Sequence, residues 1–253
     1  MPSPSPQKVA LVTGSGKRRV GSAIAAALAA RGYAIALHYH RSGEEAAQTV
    51  RELQGQGISA EAFQADVSDE ADVLRLFDRA MAQFGRLDVL VTAAAVWDPR
   101  PLEQTTAAEI QRQFNVNTLG TFLCCQQAGR IMVAQPEGGA IVTIGDWACA
   151  RPYLNYPAYF ISKGTIPTMT RMLAVELAQR NPRVRVNCIL PGPVLLRDDI
   201  PAGEVKGSIA ATLLRRAGTP ENVAHAVVFL VENDYVTGVC LPVDGGRTIA
   251  ERA

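Results

Sequence analysis

The sequence predicts a single α/β domain built on a doubly wound parallel sheet. Short apolar runs alternate with helical patterns along the whole chain, which is typical of a parallel sheet covered by helices on both faces. The 253 residues, of which 48% are hydrophobic, can bury one large core, and no linker or internal repeat divides them. A Gly-rich turn directly follows the first apolar run.

Seven runs are predicted as strands because they are short, apolar and bounded by turn residues. They are residues 9–13, 34–39, 59–64, 89–92, 140–144, 184–189 and 240–243. Helices between them begin at capping residues, as at Ser68-Asp69-Glu70 and Thr105-Thr106, and end near Gly32 and Gly85. Pro167 conflicts with this pattern, because it falls inside the helix predicted to carry Tyr159, where it should remove a hydrogen bond and could kink the helix.

Charge and cysteine content exclude several classes of function. The chain has 25 basic and 24 acidic residues, so its charge of +1 favours neither nucleic acid nor a membrane surface as a partner. Its five cysteines lack metal-ligand spacing, which predicts buried apolar residues and no metal site. Residues 1–7 are expected to form a disordered tail without a signal-peptide profile, and no apolar run approaches a membrane span. We therefore expect small-molecule chemistry in the cytoplasm.

The Gly-rich turn runs from Thr13 to Gly21 and precedes a small-residue helix predicted over 22–30. Glycines such as Gly14 allow the backbone to approach a pyrophosphate, and the N-terminus of the helix offers unpaired N–H groups. The turn therefore predicts a Rossmann domain that binds a dinucleotide.

The second predicted strand ends in a basic segment, from His38 to Ser42. An NAD enzyme usually has a carboxylate here that binds the ribose hydroxyl, but the first acid is Glu44. The guanidinium of Arg41 and the hydroxyl of Ser42 suit a 2′-phosphate instead. Lys17 and Arg19 lie on the neighbouring loop, and His40 precedes Arg41. The pattern predicts NADPH as the cofactor; an exposed basic strand end is the alternative.

Three side chains are candidates for proton transfer. Tyr159 and Lys163 are four residues apart in a predicted helix, so they share one face. An ammonium group beside the phenol favours the ionised form, which would make Tyr159 a proton donor near neutral pH. Asp146 stands at the tip of the fifth predicted strand, where burial beside a phenol should raise its pKa. A cap of the following loop is the alternative role for Asp146.

The chain resembles the short-chain dehydrogenase/reductase family over nearly its whole length. The motifs that carry the resemblance are Tyr159-x-x-x-Lys163, Pro191-Gly192 and Val243-Asp244-Gly245-Gly246. More narrowly, the chain resembles the pteridine reductase branch in His38-Tyr39-His40-Arg41-Ser42, Gly145-Asp146 and Ile200-Pro201.

The resemblance implies further binding roles. Asp66 would hold the adenine end of the cofactor, Asn117 would support a proton-relay water, and Lys163 would also bind the nicotinamide ribose. Gly192 would contact the nicotinamide. A loop cap for Asp66 and a buried hydrogen-bonding role for Asn117 are the alternatives.

Two residues would meet the pterin by the same resemblance. Arg19 would reach both cofactor phosphate and pterin, although one extra residue before Gly21 leaves Arg18 as an alternative. Trp97 would sandwich the flat pterin against the nicotinamide, with core or rim packing as its alternative. The chain departs from the family at Thr92-Ala93-Ala94-Ala95, where Asn-Asn-Ala-Gly is usual.

The expected chemistry depends on Asp146. Ordinary family members have a serine there to hold a substrate carbonyl, whereas a carboxylate would repel the developing oxyanion. A pterin offers N–H and amino donors that a carboxylate accepts, and hydride delivery to its C=N bond leaves a nitrogen that needs a proton. We therefore expect NADPH-dependent reduction of pterins or dihydropterins, with dihydrofolate as a further candidate. The alternatives are a 3-oxoacyl-type carbonyl reductase or a non-catalytic NADPH-binding sensor.

Within the expected catalytic domain, residues 8–253, the polar and Gly-bearing stretch 195–216 is predicted to be a substrate flap. The resemblance also implies a homotetramer that assembles through the helices beginning near Thr105 and Ala158. In such an assembly Arg252 would reach a neighbouring subunit's site.

Overall fold

The computed structural model describes residues 7–194 and 202–250. They form one seven-stranded parallel sheet with the strand order β3-β2-β1-β4-β5-β6-β7. The strands are β1 Val9–Thr13, β2 Ala34–Tyr39, β3 Ala60–Gln64, β4 Val89–Thr92, β5 Gly139–Ile144, β6 Val184–Pro191 and β7 Cys240–Val243. This architecture confirms the predicted single-domain Rossmann fold.

Nine α-helices of the described residues surround the sheet. They are α1 Val20–Ala29, α2 Gly43–Gly55, α3 Glu70–Phe84, α4 Ala107–Phe114, α5 Gly120–Ala134, α6 Pro157–Lys163, α7 Ile166–Ala178, α8 Ala202–Ala210 and α9 Pro220–Glu232. Short 3₁₀ turns span Leu102–Gln104 and Trp147–Cys149, and a π-helical turn, Asn115–Leu119, joins α4 to α5.

The core has two layers because successive strand residues point to opposite faces of the sheet. On one face Val12, Leu37 and Val91 pack with the apolar sides of α1, α2 and α9. On the other face Leu11, Leu90 and Ile141 pack with α3, α5 and α7. The central strands β1 and β4 are buried on both faces, which explains why their sequences are nearly continuously apolar, whereas the edge strand β3 alternates between buried and exposed residues.

Capping residues begin the helices where the sequence predicts. The Asp69 carboxylate accepts a hydrogen bond from the Asp72 N–H at the start of α3, and Thr106 forms a capping box with Glu109 at the start of α4. Gly85 ends α3 in the left-handed conformation, with φ of 73°.

The predicted kink at Pro167 is wrong. The helix expected to carry both Tyr159 and Pro167 is two helices, since α6 ends at Lys163 and α7 begins at Ile166. Pro167 is the second residue of α7, where a backbone N–H would have no partner within the helix. Its missing N–H therefore removes no hydrogen bond from the helix.

The strand order places a crevice between β1 and β4. From β1 the chain passes outward to β2 and β3 and then returns to the other side of β1, so the loops after β1 and β4 diverge at the sheet's carboxyl edge. The segments predicted to bind cofactor and substrate follow the carboxyl ends of six strands, β1 to β6. The fold therefore gathers them along one edge.

Some predictions concern residues that the structure does not describe. These are the tail apart from Gln7, the flap residues 195–201 with Ile200-Pro201, and Arg252. The rest of the expected flap contains α8 and the turns after it. Among residues 7–194 and 202–250, no helix is both long and apolar enough to cross a membrane, and no group of side chains could hold a metal ion.

Candidate active site

The Gly-rich turn packs tightly against two neighbouring loops. Gly14 has φ of 66°, and a Cβ atom there would lie 2.6 Å from Ala94 Cα. A Cβ atom on Gly16 would lie 2.4 Å from Ser42 Oγ. Only glycine fits both positions without displacing a neighbour, so the turn packs closely beside the α1 N-terminus and leaves its backbone accessible to a pyrophosphate.

His38 fixes this turn through both ring nitrogens. Its Nδ1 accepts a hydrogen bond from the Gly14 N–H at 3.1 Å, and its Nε2 lies 3.1 Å from the Ala65 carbonyl oxygen. The His38 carbonyl also accepts from the Ser15 N–H at 3.0 Å. An imidazole that accepts at Nδ1 and donates at Nε2 is neutral. His38 thus connects the ends of β1, β2 and β3, a role that we did not predict although a histidine in an apolar strand was visible.

Burial lowers the pKa of His38 to about 4. The unfolded chain therefore binds a proton between pH 6.5 and about 4 that the folded protein does not, so stability falls as the pH falls through this window. The shift predicts a loss of about 3 kcal/mol of unfolding free energy from this residue. Urea unfolding at several pH values should show a flatter acid slope for His38→Gln than for wild type. The exposed His225→Gln variant should keep the wild-type slope.

The predicted phosphate-binding side chains lie around the turn. Lys17, Arg19 and Arg41 are exposed, while Ser42 is buried at the start of α2. Arg18 instead forms an ion pair with Glu52 of α2 at 3.1 Å. Cationic groups beside a glycine cradle and a helix N-terminus fit the phosphates of a dinucleotide.

Asp66 and His40 lie at the rim of the same crevice. Asp66 Oδ1 accepts hydrogen bonds from the Ser68 N–H and hydroxyl at 2.9 and 2.6 Å, which is the loop-capping role considered as its alternative. Its Oδ2 lies 3.7 Å from His40 Nε2. The adenine-binding role of Asp66 stays a prediction.

Asp146 and Tyr159 are hydrogen-bonded to each other. The Tyr159 hydroxyl donates to Asp146 Oδ2 at 2.7 Å, and Asp146 Oδ1 accepts from the Ala148 N–H at 2.8 Å. The strand β5 ends just before Asp146, and α6 presents Tyr159 to it. The capping contact and the contact with the phenol therefore exist together, one on each carboxyl oxygen.

The pKa values of both members of this pair are raised. Burial raises the pKa of Asp146, although the Ala148 N–H, the Tyr159 hydroxyl and the charge of Lys163 oppose the shift. Burial and the Asp146 carboxylate raise the pKa of Tyr159 well above its usual value. The expected lowering of the Tyr159 pKa is wrong, because its hydrogen-bond partner is an anion that favours the protonated phenol.

Lys163 is buried and directed at the backbone. Its ammonium donates to the Ile144 carbonyl oxygen at 2.7 Å, at the end of β5. Burial lowers its pKa, while the nearby Asp146 carboxylate opposes the shift. The charge of Lys163 thus acts on Asp146 and anchors the strand end that carries it.

Asn117 lies in the π-helical turn and is fully buried. Its side chain accepts from the Val96 N–H at 2.8 Å, and donates to the Val96 carbonyl and to Ser162 Oγ, each at 2.9 Å. These contacts match its alternative role as a buried hydrogen-bonding residue. The contacts also tie the loop after β4 to α6, because Val96 lies on that loop and Ser162 lies on α6. π-Helical turns are often found at functional sites. The relay role of Asn117 stays a prediction.

Aromatic rings line one side of the site. Trp97 stacks on Tyr156 with ring centroids 5.3 Å apart and planes 20° apart, and its centroid lies 6.3 Å from that of Tyr159. The loop of Trp97 is held to the opposite loop by a hydrogen bond from the Arg100 N–H to the Asn155 carbonyl at 2.7 Å. Both predicted roles of Trp97 are therefore compatible with its place, since it packs on Tyr156 and lies beside Tyr159.

Gly192 lies against the C-terminal segment. A Cβ atom there would lie 2.5 Å from Asp244 Cα, and the Gly192 N–H donates to the Val243 carbonyl at 2.9 Å. The Asp244 carboxylate in turn accepts from the Gly246 and Thr248 N–H groups. The two motifs of the family resemblance, 191–192 and 243–246, are thus one packed unit.

Comparison with known proteins decides the family. The family model described as enoyl-(acyl carrier protein) reductase matches residues 15–248. The chain belongs to the short-chain dehydrogenase/reductase family. As a member of this family it is an NAD(P)-dependent oxidoreductase.

Several short-chain dehydrogenase/reductases are similar over nearly the whole chain. Versicolorin reductase 1 of Aspergillus parasiticus is 36% identical, with 94% of this chain and 95% of the relative covered. A human 3-oxoacyl-[acyl-carrier-protein] reductase is also 36% identical, with 94% and 97% covered. A blue fluorescent protein from a metagenomic library, solved in complex with NADPH, is 35% identical with a TM-score of 0.87 and 96% and 98% covered. These relatives support the family but not the pteridine reductase branch.

Proposed function

We propose that the protein is an NADPH-dependent reductase of pterins or dihydropterins, with dihydrofolate as a further candidate substrate. The observation that carries the proposal is Asp146, which lies two residues after the end of β5 and accepts a hydrogen bond from the Tyr159 hydroxyl at 2.7 Å. A carboxyl group at this position suits a substrate that presents N–H donors, and it is unfavourable beside a developing alkoxide.

The proton chemistry follows from the two raised pKa values. Bound NADPH supplies the hydride. Both groups bind a proton more firmly than exposed groups of the same kind do, and the hydrogen bond places the Tyr159 proton between them. The pair shares this proton and delivers it to the ring nitrogen. Lys163 stabilises the Asp146 carboxylate once that proton has left, because its charge already opposes protonation of Asp146. Lys163 therefore acts on proton transfer through Asp146.

The preference for NADPH is proposed to depend on Arg41, with Ser42, Lys17 and Arg19 nearby. Arg41→Ala should raise the KM for NADPH at least about tenfold, because a charge-assisted hydrogen bond contributes roughly 1.5–3 kcal/mol. The KM for NADH, which lacks the 2′-phosphate, should change little. Arg51→Ala on the exposed face of α2 is a matched control. Equal weakening of both cofactors by Arg41→Ala would contradict this assignment.

Stacking on Trp97 can be tested because the chain has two tryptophans, Trp97 and Trp147. Binding of an oxidised pterin to the NADP⁺-loaded protein should quench Trp97 emission, so quenching should persist in Trp147→Phe and disappear in Trp97→Phe. Trp97→Ala should also raise the KM for dihydropterin about tenfold, since ring stacking contributes roughly 0.5–1.5 kcal/mol beyond buried area. An unchanged KM would mean that Trp97 only packs on Tyr156.

A second candidate is a carbonyl reductase of the 3-oxoacyl type. The comparisons favour it, because the relatives described above are named a versicolorin reductase and a 3-oxoacyl-[acyl-carrier-protein] reductase. Tyr159 and Lys163 serve this chemistry equally well, so the difference rests on Asp146. This candidate predicts turnover of a ketoacyl thioester and no loss of that turnover when Asp146 is replaced by serine.

We also propose a cytoplasmic homotetramer. Apolar side chains on α6 and α7 remain exposed, namely Ile161, Met172 and Val175 at 49, 42 and 64%. A second copy of the chain packed on these helices would remove that surface from water. Light scattering of the purified protein measures the assembly directly.

A further inference from the structure

Two cysteines lie side by side on neighbouring strands behind the active site. Cys188 of β6 and Cys240 of β7 are partners in the parallel register, so their side chains leave the same face of the sheet. The two thiols lie close enough for each to shift the pKa of the other, while Cys188 Sγ donates to the Ile189 carbonyl at 3.4 Å and Cys240 Sγ to the Pro167 carbonyl at 3.9 Å. Neighbouring strands are about 4.8 Å apart, which lies within the Cα–Cα range that a disulfide accepts.

The two thiols differ in exposure and in acidity. Cys188 is fully buried, whereas Cys240 is partly exposed. The Cys188 thiol and the charge of Arg171 lower the pKa of Cys240. The neighbouring Cys240 thiol and burial raise the pKa of Cys188. Cys240 is therefore the better nucleophile of the pair, and Cys188 is positioned to react with it.

We propose that Cys188 and Cys240 are a redox modification site that hydrogen peroxide converts to a disulfide between β6 and β7. The Cys240 thiolate attacks one peroxide oxygen, the O–O bond breaks, and with one proton the products are a sulfenic acid and water. The Cys188 thiol then attacks the Cys240 sulfur and displaces the sulfenic oxygen as a second water. Two thiols lose two electrons and two protons, and one peroxide is reduced to two waters.

This site borders the catalytic strand end. A Cβ atom on Gly145 would lie 3.1 Å from Cys188 Sγ, so that sulfur lies against the residue that precedes Asp146. A disulfide bond is about 2.05 Å long, shorter than the distance between any two sulfurs that are not bonded, so oxidation must move the sulfurs toward each other. The inference rests on the two strands and does not depend on which substrate the enzyme reduces.

Peptide mapping of the full-length protein tests the site. Trypsin cuts after Arg185, Arg197, Arg216 and Arg247, so the two cysteines fall in separate peptides, 186–197 and 217–247. After peroxide treatment and alkylation of the remaining thiols, these peptides should appear joined, and dithiothreitol should separate them. The joined peptide should be lost in Cys240→Ser and retained in Cys149→Ser, whose cysteine is also partly exposed.

The order of attack has its own measurement. In Cys188→Ala, Cys240 should stop at the sulfenic acid and bind a dimedone probe, whereas Cys188 in Cys240→Ser should stay unlabelled. Alkylation of both cysteines in the wild type after peroxide treatment would overturn the proposed disulfide. Progress of Cys240 to a sulfinic acid without a joined peptide would overturn it equally.

Discussion

Asp146→Ser should lower kcat for dihydropterin reduction by about 100-fold, because loss of a general acid costs roughly 10²–10⁴ in rate. The variant removes the acceptor of the Tyr159 hydroxyl and the carboxyl that is proposed to face the pterin donors. It also removes the carboxylate that accepts the Ala148 N–H, but the serine hydroxyl can accept this hydrogen bond instead. The loss should therefore appear in catalysis more than in folding.

Two further variants sharpen this test of Asp146. Asp146→Asn keeps the shape of the side chain and should lose a similar factor in kcat, because the amide cannot deliver a proton. Asp78→Asn, on the exposed face of α3, should leave kcat unchanged. Dihydropterin reduction at the full rate by Asp146→Ser would remove the role proposed for the carboxyl.

Tyr159→Phe should lower kcat by about 1,000-fold, within the range for a general acid. The phenylalanine keeps the aromatic contacts of the ring but leaves the buried Asp146 without its donor, so the pKa of Asp146 should rise further. Single-turnover NADPH oxidation measures the chemical step, and NADPH binding should remain within about twofold of wild type if the pocket is intact.

The two variants should not be additive. If Asp146 and Tyr159 supply one proton as a pair, kcat of the double variant should lie within about threefold of kcat of the slower single variant. Independent roles would multiply the two losses to about 10⁵-fold. A multiplied loss would separate the two residues mechanistically and leave Asp146 as a binding group.

The fold was predictable because central strands such as β1 and β4 are apolar on both faces and each crossover contains helices of ordinary length. The structure differs by one or two residues at the ends, as at β3, which begins at Ala60, and β6, which extends to Pro191. Pro167 was misplaced because helical periodicity continues across the break between α6 and α7. In the sequence, a proline in the first turn of a new helix has the same apolar periodicity around it as a proline inside one longer helix.

The residues of the site were predictable where their chemical type and their position at a strand end or on a helix were enough to indicate a role. The structure brings Asp146 into contact with Tyr159, and this contact raises the pKa of the phenol. The sequence showed only that Lys163 lies one helical turn from Tyr159, which predicted a lowered pKa. The error arose because the nearer charged group, Asp146, lies on a different element. The role of His38 was missed for a similar reason. Its two hydrogen bonds join segments that meet only when β1, β2 and β3 lie side by side.

NADPH oxidation by the purified wild-type protein tests the central claim most directly. Dihydrobiopterin, dihydrofolate and a ketoacyl thioester should be compared in parallel at equal enzyme concentration, and the best case repeated with NADH. We predict turnover with the pterins, little with the thioester and a clear preference for NADPH. Turnover confined to the thioester would contradict the pterin assignment and the role proposed for Asp146.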